Sequence, residues 1–173
     1  MFAIRQQLAC WYAWFASSLF YLWIFFDAQL YMQSLLQIFY AAMAIYGWYQ
    51  WRYGGAEHAG VRIGVWRPAQ HAIVVVSVLI VAIILGWVLS STNAAMPYLD
   101  SFTTVAAIVT TYMVARKVLE NWVYWFVIDS VSVYLYITRE LYLTAGLFLI
   151  YLVLVVIGFR AWLSDWCGQE ATS

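Results

Sequence analysis

Apolar residues run along this chain in stretches of about twenty that cover most faces of a helix, with none of the one-in-two alternation of a half-buried strand. Six such stretches are readable, near residues 8–26, 29–51, 70–90, 98–117, 119–137 and 140–163, each long enough to cross roughly 30 Å of hydrocarbon as a helix. Barrel strands would be about ten residues long with alternating polarity, so the predicted class is all-α, a polytopic membrane helix bundle. Tight connections are predicted around Asp27, Glu120 and Thr138-Arg139. Residues 52–70, with Gly54-Gly55, Gly60, Gly64 and Pro68, read as a true loop, and 90–97 as a shorter polar turn.

Composition agrees with the pattern. Of 173 residues, 66% are apolar, 20% aromatic and only 9% charged, whereas a soluble domain is roughly 45–50% apolar and 25% charged. Arg5, Arg52, Arg62, Arg67, Arg116, Lys117 and Arg160 fall on one side of a six-span topology and Arg139 alone on the other, which puts both ends of the chain in the cytoplasm. Formal net charge is zero, so no nucleic-acid partner is indicated. Cys10 and Cys167 lie far apart with no metal-ligand spacing, and no metal or other cofactor is expected. His58 and His71, in or beside the basic loop, read as solvated.

The chain also repeats itself. Shifted by 111 positions, Arg5 meets Arg116, Trp11 meets Trp122, Trp14 meets Trp125, Tyr40 meets Tyr151, Gly47 meets Gly158 and Trp51 meets Trp162. The shift passes an even number of spans, so the copies point the same way, as in carriers built from parallel repeats. The expected organisation is one transporter domain over 1–173: an incomplete first repeat (1–51), a basic cytoplasmic loop and linker helix (52–97), a second repeat (98–163) and a cytoplasmic tail (164–173). The second repeat has three helices and the first has two, so a first helix is expected to be missing before Met1, through truncation, a misplaced start or natural variation.

Candidate chemistry concentrates in 119–137. Asn121, Trp125, Asp129, Ser132 and Tyr136 follow one another at steps of three or four and share a helix face, with Trp122 at its edge. A polar stripe in a membrane helix marks a passage or a binding site. Trp122 and Trp125 suit a flat cation through cation–π attraction, and also suit an aromatic belt at the interface. Asp129, roughly 12 Å along the helix from Asn121, could bind substrate, relay a proton or bond a neighbouring helix. Gln33, Gln37 and Tyr40 form a second stripe, in which Gln37 suits a carboxamide. Tyr46, Trp48 and Trp51 close the basic end of their helix as gate or belt, and Trp11 and Trp14 are expected to be belt or packing.

Leu30-Tyr31 with Leu36-Gln37, Tyr46-Gly47-Trp48-Tyr49-Gln50-Trp51, Arg116-Lys117, Glu120-Asn121-Trp122-x-x-Trp125, Asp129 and Ser132 together resemble the PnuC-type nicotinamide riboside transporters over nearly the whole chain. The resemblance implies a seven-helix, three-plus-one-plus-three layout in a bacterial inner membrane. It also implies facilitated uptake of nicotinamide riboside, a precursor of NAD, by alternating access, made one-way by an intracellular kinase acting on the product, and a homo-oligomer, a trimer. Arg139, where a neutral residue or Lys would be expected, departs from that pattern. Thiamine, another flat cation, is the alternative substrate, and a non-transporting structural subunit or fragment the alternative class. An enzyme is not expected, because the membrane part offers Asp129 with no His or Cys beside it.

Overall fold

A computed structural model of the chain describes residues 3–171 except 28, 30, 56–57 and 92–95, with the backbone alone at 31–33 and 170. The side chain of Gln33 therefore lies outside the described residues. The described residues form six helices: α1 Ala9–Asp27, α2 Tyr31–Tyr53, α3 Pro68–Leu89, α4 Pro97–Ala115, α5 Asn121–Thr138 and α6 Tyr142–Glu170. Their positions follow the apolar stretches to within a few residues, and α3 and α4 both open on a proline whose missing N–H costs nothing there. The exception is α6, which runs on through 164–170 where a tail is expected. That last stretch stays helical because Trp162 and Trp166 pack into the core and Gln6 Nε2 donates to Asp165 Oδ2 at 2.7 Å.

The surface is inside-out relative to a soluble domain. Leu143 is 92% exposed, and Trp23, Ile73, Ile83, Trp87 and Val153 also face outward, while Ser18, Ser101, Thr110, Thr111, Asn121, Asp129 and Ser132 are buried. Such an arrangement is stable in hydrocarbon and unstable in water. Among the described residues α1, α3 and α6 are apolar enough to cross a membrane on composition alone. The other three spans read from the sequence fall short of that standard because α2, α4 and α5 carry the interior polar groups. Thr110 and Thr111 satisfy their hydroxyls within the helix, on the carbonyls of Ala106 and Ala107 at 2.7 Å.

Packing is pairwise. Helix α1 lies on α2, α5 on α6 and α3 on α4, and α4 packs along both α2 and α5. At the basic end the loop before α3 is pinned to the α4–α5 turn: Gly64 N donates to the Lys117 carbonyl at 3.1 Å and Leu119 N to the Gly64 carbonyl at 2.8 Å. His71 is not the solvated residue expected. It is half-buried, with Nε2 3.4 Å from Glu120 Oε1 and Nδ1 2.9 Å from the Tyr124 hydroxyl, so it ties α3 to the start of α5. His58 is exposed, 3.1 Å from the Tyr53 carbonyl.

Candidate functional site

Positions related by the 111-residue shift make matching contacts. Trp11 meets Trp51 edge-on at 5.3 Å and 88°, and Trp122 meets Trp162 at 5.5 Å and 87°. Each of the first-named rings lies against a glycine. A Cβ on Gly47 would stand 2.3 Å from the Trp11 ring and one on Gly158 2.4 Å from the Trp122 ring. Trp51 and Trp162 then touch each other at 6.0 Å, so four indoles close one end of the bundle. Lys117 Nζ caps this cluster 4.9 Å above the Trp51 ring. Burial pulls the Lys117 ammonium below the usual lysine range, and the charge of Asp165 opposes that shift.

Beside the indole cluster, a cavity of about 610 Å³ runs between the α1–α2 and α5–α6 pairs along α4. Its volume is that of a small-molecule site. Both halves supply aromatic walls: Trp14 and Tyr40 on one side, and their shift partners Trp125 and Tyr151 on the other. Tyr136 extends the second wall, stacked on Phe148 at 5.2 Å and 27°. The α5 face contributes Asn121, Trp122, Trp125, Ile128, Asp129 and Tyr136, and α4 contributes Asp100, Thr103, Thr104, Ala107 and Val114.

The carboxylates and the side-chain amide come from one half only, while the first half adds the Tyr40 hydroxyl. Asn121 is 0% exposed and donates Nδ2 to the Val118 carbonyl at 2.6 Å, which leaves Oδ1 without a partner. Asp129, 4% exposed, makes no hydrogen bond or ion pair with the described residues. A buried acceptor and a buried carboxylate left open are costly unless something else fills them. Their shift partners in the first half, Cys10 and Ser18, are not among the residues that line this cavity. Among the described residues no Lys, Arg or His lines the cavity.

Of the residues singled out in the sequence, Asn121, Trp122, Trp125, Asp129, Tyr40 and Tyr136 are thus brought together, whereas Gln37 and Ser132 are not among the lining. Gln37 is half-buried, and its shift partner Phe148 occupies the wall instead. Trp122 is largely enclosed by Trp162 and Gly158, while Trp125 is half-exposed and open to a ligand ring. Trp51 is buried with Nε1 bonded to the Val114 carbonyl, Trp48 donates to the Tyr12 hydroxyl at 2.8 Å, and Tyr46 stacks on Tyr112 at 6.0 Å. Trp11 is core packing, as expected, but Trp14 is a wall of the cavity and not belt or packing alone. The α4 face was missed altogether; its signal was the spacing of Asp100, Thr103, Thr104 and Ala107.

A second hollow of about 500 Å³ lies between α3, α4 and α5. It is almost wholly apolar, and its polar members His71, Glu120 and Tyr124 are bonded to one another.

Comparison with known proteins gives one family and several relatives. The family described as nicotinamide mononucleotide transporter matches residues 1–164. The nicotinamide riboside transporter PnuC of Escherichia coli (strain K12) is 30% identical over 169 residues, covering 82% of this chain and 70% of that protein. The riboflavin/roseoflavin transporter RibM of Streptomyces davaonensis is 32% identical over 125 residues, covering 70% of this chain and 59% of its own. The crystal structure of the vitamin B3 transporter PnuC superposes with a TM-score of 0.70 at 20% identity, over 94% of this chain and 74% of that one.

Proposed function

Since the chain belongs to the nicotinamide mononucleotide transporter family and is a membrane transporter, not an enzyme, we propose that its cargo is nicotinamide riboside, taken up by alternating access. The observation that carries this reading is the cavity with aromatic walls from both halves, a carboxylate at Asp129 without a partner among the described residues and a buried Asn121 whose amide oxygen is likewise unpartnered. A pyridinium ring stacks between the walls, where cation–π attraction contributes about 0.5–2 kcal/mol. Asp129 complements its positive charge or accepts from ribose hydroxyls, and Asn121 Oδ1 accepts from the carboxamide or a hydroxyl.

The same lining argues for the riboside over the mononucleotide. A phosphate monoester carries about −1.5 to −2 charges at neutral pH. Facing Asp100 and Asp129 with no lining cation, it would be repelled. Riboflavin, the cargo named for one relative, would stack equally well but has no cation for Asp129 to match.

The basic end of the bundle is assigned to the cytoplasm of a bacterial inner membrane, with the C-terminus inside. Rocking of the α1–α2 pair against the α5–α6 pair about α4 and the indole cluster supplies the two access states, consistent with pairs that meet through α4. No coupling to nucleotide hydrolysis is included, so net uptake depends on an intracellular kinase consuming the riboside. Assembly as a homotrimer belongs to the same reading. The domain reading, 1–51 and 98–163 as repeats about a linker at 52–97, is retained, supported by the matching indole contacts.

Calorimetric titration of the detergent-purified chain with nicotinamide riboside, its mononucleotide and thiamine tests the assignment. Riboside should bind at least about tenfold more tightly than either competitor, a difference of about 1.4 kcal/mol. Equal binding of the mononucleotide, or preference for thiamine, would defeat it.

A further inference from the structure

The cavity holds a second carboxylate, Asp100, for which the proposed pose of the riboside supplies no contact. Asp100 stands in the first turn of α4, exposed, at the end of the cavity away from Lys117, and no hydrogen bond or ion pair of its side chain with the described residues is present. At 1.5 Å per residue the lining face of α4, from Asp100 to Val114, spans roughly 21 Å. Asp129 lies roughly 12 Å up the antiparallel α5 from Asn121. The two carboxylates are therefore offset by roughly 10 Å along the bundle axis, one at the mouth and one in the middle, with Thr103 and Thr104 on the face between. Asp129, 4% exposed and without a hydrogen bond or ion pair to the described residues, lines the same cavity, as does the fully buried Asn121.

The charges that line the cavity have one sign. Asp100 and Asp129 are its charged lining residues among the described residues, while Asp27, Arg139 and Glu140, at the same end of the helices as Asp100, do not line it. A low-dielectric cleft lined by one sign of charge concentrates the opposite ion.

We infer that Asp100 is an outer capture station, which draws a cationic ring into the mouth and passes it inward to Trp125 and Asp129. The inference rests on the riboside reading. It adds that recognition of charge is divided between two carboxylates and that Asp100 governs entry. Because Asp100 is exposed and unpaired, its charge costs little in the empty protein and acts on the ligand alone.

The test is initial-rate uptake into proteoliposomes containing the full chain, comparing wild type, Asp100→Asn and Asp100→Glu. The substrates are nicotinamide riboside and its uncharged 1,4-dihydro form. For the cation, Asp100→Asn should raise the half-saturation concentration roughly three- to tenfold with the maximal rate within about twofold, and Asp100→Glu should restore it. Raising salt should weaken wild-type half-saturation for the cation and leave Asp100→Asn nearly flat. The uncharged form should not distinguish the three proteins. Unchanged half-saturation in Asp100→Asn, or an equal loss for the uncharged form, overturns the capture role while wild-type riboside uptake upholds the substrate. A wild type that carries no riboside overturns both.

Discussion

Trp51 and Trp162 make the same bond in opposite directions across the bundle: Trp51 Nε1 donates to the Val114 carbonyl at 3.1 Å, and Trp162 Nε1 to the Ala3 carbonyl at 3.2 Å. Ala3 and Val114 are themselves related by the shift that pairs the two tryptophans. Each half thus anchors its own indole on the backbone of the other. Trp51→Phe and Trp162→Phe should each cost about 0.5–1.5 kcal/mol, the net worth of one hydrogen bond. Because the rings touch, the double variant should depart from the sum. Denaturant or thermal unfolding in detergent measures this, and neutrality of either single variant would remove the reciprocity from the stability argument.

Gly47→Ala and Gly158→Ala should destabilise alike. A methyl at either place meets an indole well inside contact distance, and that indole is held by a second one at right angles. Overpacking of this kind costs about 1–3 kcal/mol. If one alanine variant melts like wild type, that indole has room which the packing denies.

Trp122 and Trp125 should separate cleanly. Truncating the enclosed Trp122 to Ala opens a core void and should lower stability by about 3–5 kcal/mol. Trp125→Ala, at a half-buried ring packed against the core, should lower stability less than Trp122→Ala and weaken riboside affinity about two- to thirtyfold, the range of a desolvated cation–π contact. Calorimetry beside thermal unfolding checks both, and Trp125→Ala affinity within twofold would end the stacking role.

Asp129→Asn keeps a hydrogen-bonding side chain and removes the charge. Uptake of the cationic riboside should fall on the order of tenfold or more, given the low dielectric around a buried carboxylate. A cation moving without a counter-ion also feels the membrane potential, about 2.3 kcal/mol per 100 mV. An inside-negative potassium diffusion potential should therefore accelerate wild-type uptake in liposomes. Indifference to the potential would show that another charge moves with the substrate.

Lys117 gives a pH dependence of defined sign. Its ammonium is held low by burial, so the unfolded chain keeps its proton to higher pH than the folded chain does. Between those two values the unfolded state binds more protons, and stability rises as pH rises toward the ordinary lysine value of about 10.4. Below that window the cost of burying the charge is present in full. Melting temperatures from pH 8 to 10.5 should climb more in wild type than in Lys117→Met; parallel curves would locate the titration elsewhere.

The helices were legible because an apolar stretch of twenty residues has few other solutions in lipid. The α5 face was legible too, since Asn121, Trp125 and Asp129 are conspicuous at helical spacing. Periodicity does not give the rotation of one helix against its neighbours, however. That rotation put Phe148, not Gln37, on the wall. Trp14 was undervalued because Cys10 and Ser18 beside it lack the polarity of Asn121 and Asp129, although its pairing with Trp125 already pointed inward. Thr103, Thr104 and Ala107 are unremarkable in any membrane helix, and Asp100 stands near the start of the 98–117 stretch, where a charge is ordinary at a helix end. The His71–Glu120 pair joins residues far apart in the chain and needed the tertiary fold.

Concentration of the cavity's carboxylates and side-chain amide on α4 and α5 has a consequence for how a carrier of this family exchanges one cargo for another. Indoles and glycines come from both halves, but the carboxylates and the side-chain amide that line the cavity all fall in one contiguous stretch, Asp100 to Tyr136. Exchanging that cassette between relatives with different cargoes should transplant preference while the other half, relieved of chemical duty, drifts freely behind its aromatic face.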